Sequence, residues 1–227
     1  NIANPTDFLS INLEIGLNVI TSCIKLNVKK LINLGSSCMY PKQAQNPLKE
    51  ESLLTSSLEP TNEGYALSKI ISQRLCQYHC RDNINSFFKT LIPCNIYGKY
   101  DSFKEEDSHL LPSIIRKVYQ AKIENSNQIE IWGSGNARRE FMYAEDLAEA
   151  IWFCLENISK LPLSTNIGLG YDFSILEYYK IVSKILNYQG NFIHNLNKPE
   201  GMKQKILAID IIKKLGWTHK TELEKGI

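Results

Sequence analysis

Two groups of residues combine side chains and spacing suited to carbonyl chemistry. Residues 33–41, NLGSSCMYP, pass from an aliphatic run into Gly35, Ser36, Ser37 and Cys38, placing two hydroxyls and a thiol at a strand's end. Further along, Tyr65 and Lys69 stand four apart, which on a helix puts both on one face. An ammonium beside a phenol favours the phenolate and brings tyrosine towards a useful acid–base range. A serine, a tyrosine and a lysine converging on a ketone can reduce it. Serine polarises the carbonyl, tyrosine supplies the proton, and lysine tunes the tyrosine and holds a cofactor ribose. A second Tyr-x-x-x-Lys, Tyr100 with Lys104, falls in a loop and reads as structural.

The elements around these residues follow from apolar spacing. Phe8, Leu9, Leu13, Leu17, Ile20 and Ile24 recur at three- and four-residue steps, predicting an amphipathic helix over 6–27 that starts near Thr6 or Asp7. A buried strand, KKLINLGSS, follows, then a polar loop over about 41–60. A Thr/Asn cap with Glu63 in the first turn opens a helix that runs to about residue 82. NSFFKTLIP reads as the next strand, ended by Pro93. Strand, helix, strand in this order implies a parallel α/β sheet, with the strand end and Tyr65 within reach of each other. Beyond a loop at 97–108, a helix is expected over 110–124, a strand over 128–135, and an extended piece leading into a helix at Ala144 or Glu145. The remainder reads as a strand at 165–170, a helix at 174–187 and a lysine-rich tail.

Composition narrows the classes. With 43% hydrophobic and 22% charged residues the 227-residue chain has an ordinary globular balance, and its net charge of +2 gives no argument for nucleic acid or membrane. No uninterrupted apolar run approaches the ~20 residues of a bilayer span, and the start lacks a basic-then-apolar leader pattern. The short basic cluster ending at Lys205 reads as a solvated segment. Six scattered cysteines show no paired spacing. Cys76 and Cys80 lie one helical turn apart without a second ligand pair, so reduced thiols in a cytoplasmic protein, and no metal, are expected. No G-x-x-G-x-x-G or G-x-G-x-x-G stands near the start, where a dinucleotide-binding sheet usually carries it.

Seven ordered stretches resemble one family: NPTDFLSINLEIGLNVI, LGSSCMYP, LEPTNEGYALSKI, IPCNIYGKYDSF, SHLLPSIIRK, IWGSGNARREFMYAEDLA and KILAIDIIKKLGW. They are similar to the extended short-chain dehydrogenase/reductases, and within these to the GDP-L-fucose synthase family. The resemblance implies an NADP(H)-dependent 3,5-epimerase and 4-reductase of a GDP-linked 4-keto-6-deoxy sugar. The fold it implies is α/β, a Rossmann-like doubly wound parallel sheet lacking its N-terminal part, with a smaller α/β substrate lobe. It assigns residues 1–100 and 138–160 to the cofactor domain and 101–137 and 161–227 to the lobe. It also implies a homodimer through helices 6–27 and 62–82.

Carried over by position, Ser36, Tyr65 and Lys69 match the reductase triad, and Cys38 and His109 match the base and acid of epimerisation. A ketone at C4 acidifies the hydrogens on C3 and C5, so a thiolate can remove one and an imidazolium can return it on the other face. Leu34, Gly35, Ser36 and Ser37, with Pro93, Cys94, Asn95 and Ile96, match the loops around the nicotinamide half of the cofactor, as do Lys69 and His109. Lys117, Trp132 and Arg139 fall where the family holds the nucleotide-sugar. Simpler readings stand beside these: a small buried thiol for Cys38, a helix start for His109, a surface pair with Glu140 or Glu145 for Arg139, and a core role for Trp132. Departures occur at Lys117 (usually arginine), Ala208 (usually aspartate) and Cys94 (usually threonine). The chain reads as partial at both ends, and the polypeptide alone is then expected to bind NADPH poorly and to be unstable. Two further functions fit the same residues: a C4-reductase acting only on a GDP-linked 4-keto-heptose, and a non-catalytic scaffold.

Overall fold

The computed structural model describes residues 4–105, 108–198 and 201–227. In chain order its elements are α1 (Pro5–Lys25), β1 (Lys30–Leu34), α2 (Glu63–Asp82), β2 (Phe87–Pro93), β3 (Asn95–Tyr97), α3 (Leu110–Ile123), β4 (Gln128–Trp132), β5 (Arg138–Arg139) and β6 (Phe141–Tyr143). There follow α4 (Ala144–Glu156), β7 (Ser164–Ile167), β8 (Phe173–Ser174), α5 (Ile175–Leu186), β9 (Asn191–Asn195), β10 (Gln204–Lys205), α6 (Asp210–Lys214) and α7 (Leu223–Gly226).

The main sheet has the order β1-β2-β7, every pair parallel, with Leu34 opposite Leu91 and Pro93 opposite Ile167. Leu91, Ile92 and Ile167 are fully buried, as expected of strands covered on both faces. They pack with Met142, Ala150 and Cys154 into the larger core. Helix α1 starts with Pro5 in its first turn, carries Asp7 there, and ends with Lys25, each suited to its end of the helix. Asn27, at φ 54°, then turns the chain towards β1. Helices α1 and α2 lie close because Gly16 has no side chain: a Cβ there would overlap the Ser72 hydroxyl. Over 18 residues α1 reaches a mean hydropathy of 1.2 and is little buried, so its length and composition also match a membrane-crossing helix, although no uninterrupted apolar run does.

A second core lies under α3 and α5, where Leu111, Ile114, Val118, Ile131, Tyr178 and Val182 are buried together. Helix α5 is started by a reciprocal cap, the Glu177 N–H donating to Ser174 Oγ and the Ser174 N–H to Glu177 Oε2.

Two expectations change here. Residues after 187 are not a tail: β9 pairs in parallel with β4, and β10 pairs in parallel with β5. These strands are short and borrow their partners from distant segments, so local periodicity does not announce them. The segment 161–227 expected of the lobe also begins with β7, which completes the main sheet.

Candidate active site

A cleft of about 1250 Å³ opens at the C-terminal ends of β1 and β2. Ligands of open parallel sheets bind at such strand ends. Gly35, Ser36, Ser37 and Cys38 line it from the end of β1, Tyr65 from α2, and Pro93, Cys94, Asn95 and Ile96 from the end of β2. His109, before α3, and Arg139 of β5 also line it. The strand end is held tightly: the Gly35 N–H donates to the Leu91 carbonyl at 2.8 Å, and a Cβ at Gly35 would come within 2.8 Å of Met39 Sδ. Ser36 stays extended, at φ −157°, and its hydroxyl accepts the Cys38 N–H at 3.2 Å, starting a 3₁₀ turn over Ser37–Met39. That turn points the half-buried Cys38 into the cleft.

Tyr65 faces the same hydroxyl. Against the expectation that Lys69 would lower it, burial raises the Tyr65 pKa above the ordinary tyrosine value, the neighbouring Cys38 charge adds to this, and Ser36 works against both. Lys69 Nζ lies 5.6 Å from the Tyr65 ring centroid and donates to the Leu34 carbonyl at 3.1 Å. Desolvation lowers the Lys69 pKa. Leu34 and Lys69 stand behind the main cleft, in a smaller hollow of about 180 Å³ against α1. An ammonium has three donors, and one of those of Lys69 is taken by Leu34. The remaining donors, the strand-end loops and the cleft volume fit the nicotinamide-ribose half of a dinucleotide.

Across the cleft, His109 occupies the N-cap position of α3, with Nδ1 3.8 Å from Asp101 Oδ1. Its ring is largely exposed, with 78% side-chain accessibility, so it can reach a bound molecule. Arg139 does not pair with Glu140 or Glu145. Its guanidinium donates to the Arg138 and Met202 carbonyls, at 2.8 and 2.7 Å, and burial lowers its pKa. Trp132 is 52% exposed and does not belong to the core. The ammoniums of Lys117 and Lys198 lie 5.5 and 4.8 Å from its ring, forming a cationic aromatic patch outside the cleft lining. Cys94 is buried, and burial holds its thiol well above the usual range. Tyr100 is almost fully exposed at the cleft rim, with Lys99 over its ring. Among the described residues no cluster suited to a metal ion occurs.

One residue in the cleft runs against its sequence reading. Lys205, expected in a solvated basic segment, lies in β10 with Nζ 3.8 Å from Cys38 Sγ. Only the parallel pairing of β10 with β5 brings it there. A Lys-rich stretch carries no local sign of that pairing.

The model of the NAD dependent epimerase/dehydratase family matches residues 1–168. The chain belongs to that family. It is 49% identical to the GDP-L-colitose synthase of Yersinia pseudotuberculosis, over the whole of this chain and 74% of that protein. It is 46% identical to the GDP-L-fucose synthase of Azorhizobium caulinodans, over the whole chain and 72% of that protein. Among solved structures it resembles the GDP-mannoheptose C4 reductase of Campylobacter jejuni with NADP bound. The TM-score there is 0.89 at 32% identity, covering 100% of this chain and 76% of that one. The expected α/β parallel sheet and the family resemblance both hold.

Proposed function

We propose that this protein is an NADP(H)-dependent epimerase and reductase of a GDP-linked 4-keto-6-deoxy sugar, forming GDP-L-fucose or a close relative. The observation that carries the reading is the convergence of Ser36, Tyr65 and Cys38 on one cleft wall, with Lys69 beside Tyr65 and His109 opposite. The names and identities of the relatives support the substrate class and the cofactor.

Bound NADPH supplies the hydride for reduction at C4. Ser36 donates to the C4 oxygen and polarises the ketone. Tyr65, a neutral phenol at neutral pH, gives its phenolic proton to that oxygen as negative charge develops. Lys69, Gly35–Ser37 and Pro93–Ile96 hold the nicotinamide half. In epimerisation the Cys38 thiolate takes the proton from C3 or C5, the electron pair passes into the C4 oxygen that Ser36 already faces, and His109 returns a proton on the opposite face. Arg139, with Lys117 and Trp132, binds the GDP part, for which a guanidinium and an exposed aromatic ring are suited partners.

The cofactor domain comprises 1–100 and 138–160 together with β7, and the remaining segments form the substrate lobe. A separate core under α3 and α5 supports a distinct lobe there, while Leu207, Ile209, Ile212 and Trp217 pack into the core of the main sheet. A homodimer through α1 and α2 is supported by exposed Ile11, Ile15, Val19 and Ile71 on these helices. A cytoplasmic location is supported by six free thiols.

Incubation with GDP-4-keto-6-deoxy-mannose and NADPH in heavy water tests the reading. It expects NADPH oxidation and deuterium at C3 and C5. The 32% identity to a GDP-mannoheptose C4 reductase favours, as a second reading, reduction without epimerisation. Oxidation with no deuterium gain selects that second reading, and the absence of both oxidation and deuterium gain overturns both readings.

A further inference from the structure

Lys205 is delivered to Cys38 by a built arrangement. Asn46 brackets its backbone, donating from Nδ2 to the Gln204 carbonyl at 3.2 Å and accepting the Ile206 N–H at 3.0 Å. The Gln204 side chain is anchored on Asp172 at 2.6 Å, and the Leu48 N–H donates to the Ile206 carbonyl at 2.8 Å. Lys205 is also in register with Arg139 on the neighbouring strand. Arg139 is committed to two backbone carbonyls, whereas the Lys205 ammonium is aimed at the sulfur.

We infer that Lys205 is a positioning residue for the epimerase half of the reaction, its ammonium holding Cys38 as the thiolate that abstracts the proton next to the ketone. The role rests on the function proposed above. Before the step, the Cys38 S–H proton leaves to solvent and the negative sulfur is held by Lys205. The sulfur then takes the C–H proton, and the electron pair moves into the C4 oxygen. Lys205 keeps its own protons throughout. An opposite charge within about 4–6 Å is the usual means of lowering a thiol's pKa. The other charged or titratable groups around the cleft do not replace it. Tyr65 faces Cys38 from α2 as a neutral phenol, Lys42 is paired with Glu59 at 3.5 Å, and His109 lies beside Asp101 on the opposite wall. Glu145 and Lys99 also line the cleft, with Lys99 over the Tyr100 ring.

The test is the pH profile of Cys38 alkylation by iodoacetamide on the full chain, resolved from the other five cysteines by peptide mass spectrometry. Lys205→Met should move the Cys38 midpoint up by about one pH unit, a roughly tenfold slower alkylation at neutral pH. Lys205→Arg should keep the wild-type midpoint. An unchanged midpoint in Lys205→Met, with Cys76, Cys94 and Cys154 still protected as buried thiols, overturns the inference. Should those three become reactive in Lys205→Met, Lys205→Gln is measured instead and the same midpoint decides. Deuterium wash-in should fall in parallel with thiolate fraction. Wash-in that persists undiminished in Cys38→Ser overturns the assignment of Cys38 as the epimerisation base, and absence of wash-in in the wild type overturns the epimerase reading, while the alkylation profile still judges the Lys205–Cys38 pair.

Discussion

The hydroxyl of Ser36 accepts the backbone N–H of Cys38 at 3.2 Å and also acts on the Tyr65 phenol, opposing the rise that burial gives its pKa. One side chain therefore sets both the turn that aims the thiol and the environment of the proton donor. In the proposed reaction, reduction and proton abstraction meet at the same ketone because the two groups share this serine.

Ser36→Ala should damage both half-reactions. Loss of a donor aimed at a developing oxyanion typically costs 10²–10³-fold in turnover, and loss of a cap costs about 1 kcal/mol of stability. Steady-state NADPH oxidation, deuterium wash-in and thermal unfolding measure the three effects. Wash-in that survives while oxidation falls would show that the Ser36–Cys38 bond does not position the thiol.

Cys38→Ser should shift the pH profile of reduction. The Cys38 charge is one cause of the raised Tyr65 pKa, second to burial. Removing that charge makes the phenolate easier to form, so the pKa falls. The alkaline limb, where Tyr65 loses the proton it must donate, then moves to lower pH. Reduction of a substrate that needs no epimerisation, followed across pH, checks the direction. A limb displaced upwards contradicts the coupling.

The residues proposed as catalytic stand out in the sequence because they fall in local patterns. Ser36 and Cys38 follow an aliphatic strand, and Tyr65 and Lys69 share a helical face. The helices α1 and α2 were equally plain from three- and four-residue spacing. Lys205, Glu140 and Asn166 were not. Each owes its position to contacts more than sixty residues away in sequence, from strands too short to leave a periodic signature. Trp132 could equally have been core, since an apolar aromatic in a strand looks the same whether its face is covered or open.

Glu140 should make stability depend on pH. It is fully buried and accepts N–H groups from Leu169, Gly170 and Leu207, tying together segments distant in sequence. Burial raises its pKa to about 7 from 4.5, and the backbone hydrogen bonds oppose this. Below 4.5 the carboxyl is neutral in both folded and unfolded chains. Between 4.5 and 7 the unfolded chain ionises first, so the folded state loses relative stability as pH rises, by about 3 kcal/mol in full. Chemical denaturation across this range should show a slope in wild type that is reduced in Glu140→Gln. Equal slopes would place the titration elsewhere.

Asn166 at the centre of β7 should be more sensitive to charge than to size. Its Nδ2 donates to the Leu48 and Ala208 carbonyls, at 2.8 and 3.1 Å, and its Oδ1 accepts the buried Tyr40 hydroxyl at 2.6 Å. Asn166→Ala leaves the Tyr40 hydroxyl and the Ala208 carbonyl without that partner, costing about 3 kcal/mol on the scale of buried unsatisfied groups. Asn166→Asp replaces the donor with an acceptor facing two carbonyls, and sets a new carboxylate near Glu50, which already accepts the residue's backbone N–H. The aspartate variant should therefore be the less stable of the two at neutral pH and recover as pH falls, since protonation restores a donor. Tyr40→Phe combined with Asn166→Ala should cost less than the sum of the single changes, because the stranded hydroxyl is removed with its partner. Denaturant midpoints of wild type, the three single variants and the double variant decide it. An aspartate variant as stable as wild type at neutral pH would mean that this asparagine fills space and does not hold Tyr40, Leu48 and Ala208 by its hydrogen bonds.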